Sequence, residues 1–176
     1  MLYYRGFTDR LGADPVQAIL HFTGTGAFNL LLLSLLVSPV AKWLKQGQLI
    51  NVRRVLGVYA FTYALCHFLS YLIFDLQLEW ALAIAEIIKR PYITVGFIGL
   101  IILMVLTITS PQLVRKKMRN RWQQTHNWVY AAVLCVALHF LWSVKSGLAE
   151  PLIYLVITLI LLSTRYKKLS KLFNKA

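Results

Sequence analysis

His126-Asn127-Trp128-Val129-Tyr130-Ala131-Ala132-Val133-Leu134-Cys135-Val136-Ala137-Leu138-His139 is a mostly apolar run closed by a histidine at each end. A third histidine, His67, sits deep in another apolar run. The runs are continuous and lack the alternating ten-residue pattern of a membrane β-barrel, so they read as helices. Imidazole inside a bilayer is costly unless it is paired or coordinated, which makes an intramembrane histidine a functional candidate. Neutral imidazole is also a common axial ligand of haem iron.

The rest of the chain supports a membrane setting. Of 176 residues, 59% are hydrophobic and only 14% charged; soluble domains hold roughly 45–50% apolar residues. Apolar runs cover about 18–40, which ends near Ser38-Pro39, and then 55–74, 92–109, 126–144 and 151–166. Each is near the roughly 20 residues that cross about 30 Å of hydrocarbon. The expected fold is an all-α polytopic transmembrane bundle, with five helices joined by short loops in a single domain over 1–176. Asp14-Pro15 reads as the start of the first helix, with Pro at its first position. The mixed, polar first fifteen residues do not read as a cleavable signal peptide. Cys66 and Cys135 lie within apolar runs and read as small buried residues rather than a disulfide framework.

Charge orients the bundle. Fourteen of the 19 basic residues fall in three segments on one side. These are Lys42, Lys45, Arg53 and Arg54; then Arg115, Lys116, Lys117, Arg119 and Arg121; then Arg165, Lys167, Lys168, Lys171 and Lys175. The other side holds Arg5, Arg10, Lys89, Arg90 and Lys145 with all six acids, Asp9, Asp14, Asp75, Glu79, Glu86 and Glu150. The positive-inside rule makes the basic side cytoplasmic and places the N-terminus outside. The net charge of +13 therefore reads as topology and contact with anionic membrane lipids, not as a nucleic-acid interface.

Depth brings two histidines together. From helix starts near Val55 and His126, His67 and His139 lie twelve and thirteen residues in, both roughly 18–20 Å along the axis. Side chains on facing helices at equal depth can ligate one metal from both faces of a porphyrin. Gly57, Ala60 and Ala64 share His67's side of its helix; Trp128, Ala132 and Cys135 precede His139. Small residues there either leave room for a flat macrocycle or let helices pack closely. His126 and His139 are about 140° apart on an ideal helix, so both face one interior only if the helix is bent or unwound near His126. His126 is either a ligand of a second, inner haem or a helix-start residue. Arg53, fourteen residues before His67, shares its face and suits a propionate better than iron. His21 reads as a surface or capping residue. No dinucleotide fingerprint, zinc spacing or nucleophile–base pair occurs.

The stretches Arg121-Trp122-Gln123-Gln124-Thr125-His126-Asn127-Trp128-Val129-Tyr130 and His139-Phe140-Leu141-Trp142-Ser143-Val144-Lys145 resemble the ferric-reductase-like transmembrane domain. So do Leu11-Gly12-Ala13-Asp14-Pro15, His21-Phe22-Thr23-Gly24, Arg53-Arg54-Val55-Leu56-Gly57, Arg90-Pro91-Tyr92 and Arg165-Tyr166-Lys167-Lys168-Leu169. The resemblance spans essentially the whole chain. Within that superfamily the chain is similar to the haem-binding membrane subunits of bacterial periplasmic methionine sulfoxide reductase systems. This implies a multi-pass, inner-membrane b-type cytochrome, an electron-transfer subunit rather than a catalyst on its own. Electrons would come from the quinone pool or a cytoplasmic flavin reductase. They would pass to a periplasmic molybdopterin catalytic subunit that repairs oxidised envelope proteins. His67 and His139 match the superfamily's outer haem pair. His126 matches one inner ligand, and Arg53 stands where its partner would be. The implied cofactors are haem b, one at the outer pair and a second possible at the inner site, and FMN. The family usually has six helices, so the resemblance implies that the five expected here correspond to those after the first.

The alternative from a different class is a non-redox permease or scaffold subunit. A permease wants charged or broken-helix sites at the midplane, and the apolar runs hold few of either. A self-sufficient ferric reductase would need flavin and nicotinamide domains for which 176 residues leave no room.

Overall fold

The structure is a computed structural model that describes residues 14–144 and 147–165. The expectations that involve Arg5, Asp9, Arg10, Lys145, Tyr166, Lys167, Lys168, Lys171 and Lys175 lie outside the described residues. Within them the chain is all-helical, without a strand.

Helix α1 runs Pro15–Trp43. The Asp14 carboxylate accepts the Gln17 N–H at 2.9 Å and Pro15 occupies the first turn, as the sequence suggests. The helix does not stop near Ser38-Pro39. Pro39 removes one N–H and so frees the Leu35 carbonyl one turn earlier. Nη2 of Arg165 donates to that carbonyl at 3.3 Å, so the helix continues to Trp43.

A 3₁₀ turn, Gly47–Leu49, leads into α2, Ile50–Ser70, which widens into a π-helical turn, Tyr71–Asp75. Arg53 and Arg54 therefore sit in the first turns of α2 rather than in a loop. Helix α3, Trp80–Lys89, was not expected from the sequence. At ten residues it is too short to span. Its Ala83 packs on Leu72 and Leu76, while Trp80, Ile84 and Ile88 stay exposed at a spacing of four.

Helix α4, Pro91–Ile108, is followed by two short helices in the basic stretch, α5 at Gln112–Met118 and α6 at Asn120–His126. Arg119, at φ +48°, separates these two. Helix α7 then covers Val129–Ser143 and α8 covers Ala149–Ser163.

By length and composition, α1, α2 with its π-turn, and α4 are long and apolar enough to cross a membrane. Helices α7 and α8 have 15 residues each, about 22 Å, and complete the bundle. The core joins Phe28, Leu31 and Leu35 of α1 to Ala60, Leu103, Leu106, Val133, Ala137 and Leu162. Ile98, Ile101, Val156, Leu159 and Ile160 point outward and stay exposed. An apolar exterior around an apolar core suits a molecule solvated by lipid. Cys66 and Cys135 are both free.

Candidate functional site

A cavity of about 790 Å³ opens between the α1–α2 pair and the α4–α7 pair, large enough for a cofactor-sized ligand. His67 of α2 and His139 of α7 face it from opposite sides. Their ring centres are 6.1 Å apart and the planes stand at 82°. Phe28, Ala64, Phe97 and Phe140 line the apolar depth, and Gln17, His21 and Glu150 belong to its polar edge.

Each ring is held by the neighbouring helix. His67 Nδ1 lies 2.9 Å from the Leu20 carbonyl of α1, and His139 Nδ1 lies 2.8 Å from the Tyr92 carbonyl of α4. A carbonyl only accepts, so each Nδ1–H donates and each Nε2 keeps its lone pair. No hydrogen bond to either Nε2 is found among the described residues. A ligating histidine is typically held in this way, with one nitrogen tied to a carbonyl and the other free for the metal.

Two glycines make room for the rings. A Cβ on Gly24 would lie 3.1 Å from His67 Nδ1, and one on Gly96 would lie 2.6 Å from His139 Nδ1. Glycine inside a helix costs about 1 kcal/mol relative to alanine, so its presence here calls for a steric reason. The rings are that reason.

The donor set fits a haem. An imidazole nitrogen lies about 2 Å from a metal it ligates, so two opposed imidazoles on one metal place their centres about 6 Å apart. The observed 6.1 Å matches. No cluster of three or more His, Cys, Asp or Glu suited to a bare metal ion forms among the described residues. A porphyrin asks the protein only for axial ligands, since its own nitrogens fill the remaining positions.

His126 is arranged differently. It ends α6, and Asn127 and Trp128 separate it from α7. The continuous helix expected from His126 is thus broken, because tight bonds such as Tyr130 N–H to Asn127 O replace the α-helical ladder. The His126 ring stacks on Trp122 with centres 4.0 Å apart, and Trp122 Nε1 donates to the Thr109 carbonyl at 2.9 Å. His126 Nε2 lies 3.1 Å from Thr109 Oγ1, whose own proton goes to the Val105 carbonyl. His126 therefore donates from Nε2, and Nδ1 is the nitrogen left over. Burial holds this imidazole below its ordinary range, and the charges of Arg53 and Arg115 act in the same direction. No second histidine approaches it among the described residues.

Arg53 shares this end of the bundle, with Nη1 3.4 Å from Ser38 Oγ. His21 stands 3.4 Å from Glu150 at the cavity edge. Of the small residues singled out by spacing, Ala60 and Ala132 are fully buried between helices. Ala64 alone of these lines the cavity, Gly57 faces open space and Trp128 is exposed. Close packing therefore explains more of these positions than room for a macrocycle does. Sequence reading missed Gly96 and the Leu20 and Tyr92 carbonyls. Gly96 carried a signal, as a glycine deep in an apolar helix; backbone acceptors carry none.

The family described as Ferric reductase like transmembrane component matches residues 23–137, a stretch that includes His67 and His126 and stops two residues before His139. No solved structure matches the chain. Since the family match covers well over half of the 176 residues, and the fold is a helical membrane bundle, the chain belongs to the ferric reductase-like transmembrane family.

Proposed function

We propose that the chain is a b-type cytochrome subunit that carries electrons across the bacterial inner membrane. The observation that carries this reading is the His67–His139 pair, two imidazoles 6.1 Å apart across one cavity, each with Nδ1 tied to a carbonyl. Haem b, when bound, supplies one-electron carrier chemistry. His67 and His139 would hold the iron through Nε2, and the Leu20 and Tyr92 carbonyls fix their tautomer and raise their basicity. Phe28, Phe97 and Phe140 exclude water from the cavity and so favour tight retention of a flat apolar group.

The residues that resemble MsrQ extend the proposal. Electrons arrive from quinol or a cytoplasmic flavin reductase and leave to a periplasmic molybdopterin methionine sulfoxide reductase. The basic end, with Arg53 and His126, faces the cytoplasm, and the cavity edge with His21 and Glu150 faces the periplasm. An inner site around His126 and Arg53, and FMN, belong to the same resemblance. The family match and the apolar helices support the membrane and electron-transfer parts of this reading. An absorption spectrum of the purified chain with a haem-to-protein ratio tests it. Low-spin b-type bands are expected; a protein that takes up no haem overturns the reading and leaves a non-redox membrane subunit.

A further inference from the structure

The basic end of the bundle contains a buried polar group whose hydrogen bonding is incomplete. Tyr130 of α7 is 4% exposed, and its hydroxyl makes no hydrogen bond of good geometry among the described residues. A buried, unpaired hydroxyl is unfavourable and rare in native interiors. Arg53 stands beside this hydroxyl and interacts with it through charge and through a weak side-chain hydrogen bond that falls short of good geometry, and the charge of Arg165 reaches Arg53.

Neither guanidinium has an acid partner among the described residues. Arg53 reaches Ser38 Oγ at 3.4 Å and Arg165 reaches the Leu35 carbonyl at 3.3 Å. Both acceptors are neutral and lie about one turn apart on α1, next to Pro39. The side-chain ion pairs found among the described residues, His21–Glu150 and Arg90–Glu86, are at the opposite end. All six acids of the chain fall on that opposite side by sequence. Arginine does not shed its proton, so two half-buried guanidinium groups on a bundle in lipid require an anion from elsewhere. The neighbouring His126 and Arg115 bring no negative charge, so they supply no compensation from that side either.

We propose that Arg53, Arg165 and Tyr130 form an oxyanion-binding site between α1, α2, α7 and the end of α8, which takes a phosphate group. Two guanidinium forks and one phenolic O–H supply donors of the kind that hold phosphate. The phosphate comes either from an anionic phospholipid headgroup, as in basic pockets between membrane helices, or from a free phosphate. The site does not depend on the histidine pair, and its failure would leave the cytochrome reading untouched.

The test is thermal unfolding of the full-length chain in detergent, titrated with phosphatidylglycerol, phosphatidylcholine or inorganic phosphate. A ligand that binds the native state raises the midpoint. Phosphatidylglycerol is expected to act at about tenfold lower concentration than phosphatidylcholine, and Arg53→Gln or Arg165→Gln is expected to weaken that response by about tenfold. A response to phosphatidylglycerol without one to phosphate assigns the lipid headgroup; a response to phosphate alone assigns a free anion. Equal responses to both anions in wild type and both arginine variants overturn the proposal. So does loss of haem in Arg53→Gln with the anion response intact, which would give the arginine to a tetrapyrrole carboxylate. Where the arginine variants do not fold, Tyr130→Phe removes a single oxygen. It is expected to weaken the anion response by about threefold. An unchanged response with a higher midpoint in the absence of anion overturns the site, since the hydroxyl would then be merely unsatisfied.

Discussion

A Cβ placed on Gly96 would stand 2.6 Å from Nδ1 of His139, closer than side-chain carbons approach other atoms in folded proteins. Helix α4 thus touches the His139 ring with bare backbone, and the same helix supplies the Tyr92 carbonyl that holds Nδ1. On the other side α1 repeats the arrangement around His67, with Gly24 and the Leu20 carbonyl. The two ring orientations are set by the helices that flank the histidines, not by the helices that carry them.

Gly96→Ala is therefore expected to push the His139 ring out of place and break its bond to Tyr92. Loss of a carbonyl partner to a ligating histidine lowers metal affinity by about 10–100-fold. Gly24→Ala, with 3.1 Å available, is expected to be milder. Haem-to-protein ratios of the two purified variants check the order. A Gly96→Ala protein with wild-type haem content and spectrum would show that the ring has room the structure does not give it.

His67→Ala and His139→Ala are each expected to abolish the low-spin spectrum while the protein still inserts in the membrane. The pair acts as one unit, so either loss removes the six-coordinate state and the double variant adds little. The measurement is a reduced-minus-oxidised spectrum on membranes with equal protein content. Full retention of the low-spin bands in either single variant rejects the assignment.

Much of this was open to reading in the sequence. The apolar runs located α1, α2, α4, α7 and α8, because hydrocarbon imposes a length on each. His67 and His139 do come together, but not by the equal count expected from Val55 and His126, since their helices start at Ile50 and Val129. What the sequence hid depends on tertiary contact. Pro39 predicted a helix end, yet Arg165, far along the chain, satisfies the carbonyl that Pro39 frees. Helix α3 was passed over because ten residues, with Glu86 and Lys89 among them, are too few to span, and only its packing of Ala83 on Leu72 and Leu76 reveals its place. The break after His126 was visible only as an angular misfit between two histidines.

Topology is testable without any cofactor. Fourteen of the 19 basic residues lie on one side by sequence, the side that the proposed function puts in the cytoplasm. A cytoplasmic reporter fused after Lys175 is expected to be active and a periplasmic reporter at the same point silent. The reverse pattern would invert the direction of electron flow.

The inner end poses the sharpest question, because His126 leaves free the opposite nitrogen from His67 and His139. His67 and His139 donate from Nδ1 and keep Nε2 free; His126 donates from Nε2 to Thr109 and keeps Nδ1 free. Its ring is further fixed by the stack on Trp122, over which the Arg115 guanidinium lies at 4.7 Å. Arginine is a poor ligand for iron, so with Arg53 in the partner position an inner haem would be weakly held. His126→Ala is then expected to lower the haem ratio from near two towards one, with the outer low-spin spectrum intact. Thr109→Val keeps the side-chain shape and removes the acceptor for Nε2–H, so it is expected to loosen the inner haem by about 10–100-fold without touching the outer one. If His126 is only a helix-end residue, both variants keep one haem and lose about 1 kcal/mol of stability. Haem content measured beside the unfolding midpoint separates the outcomes: a selective fall in haem supports the inner site, and a fall in midpoint at constant haem leaves the His67–His139 pair as the sole centre.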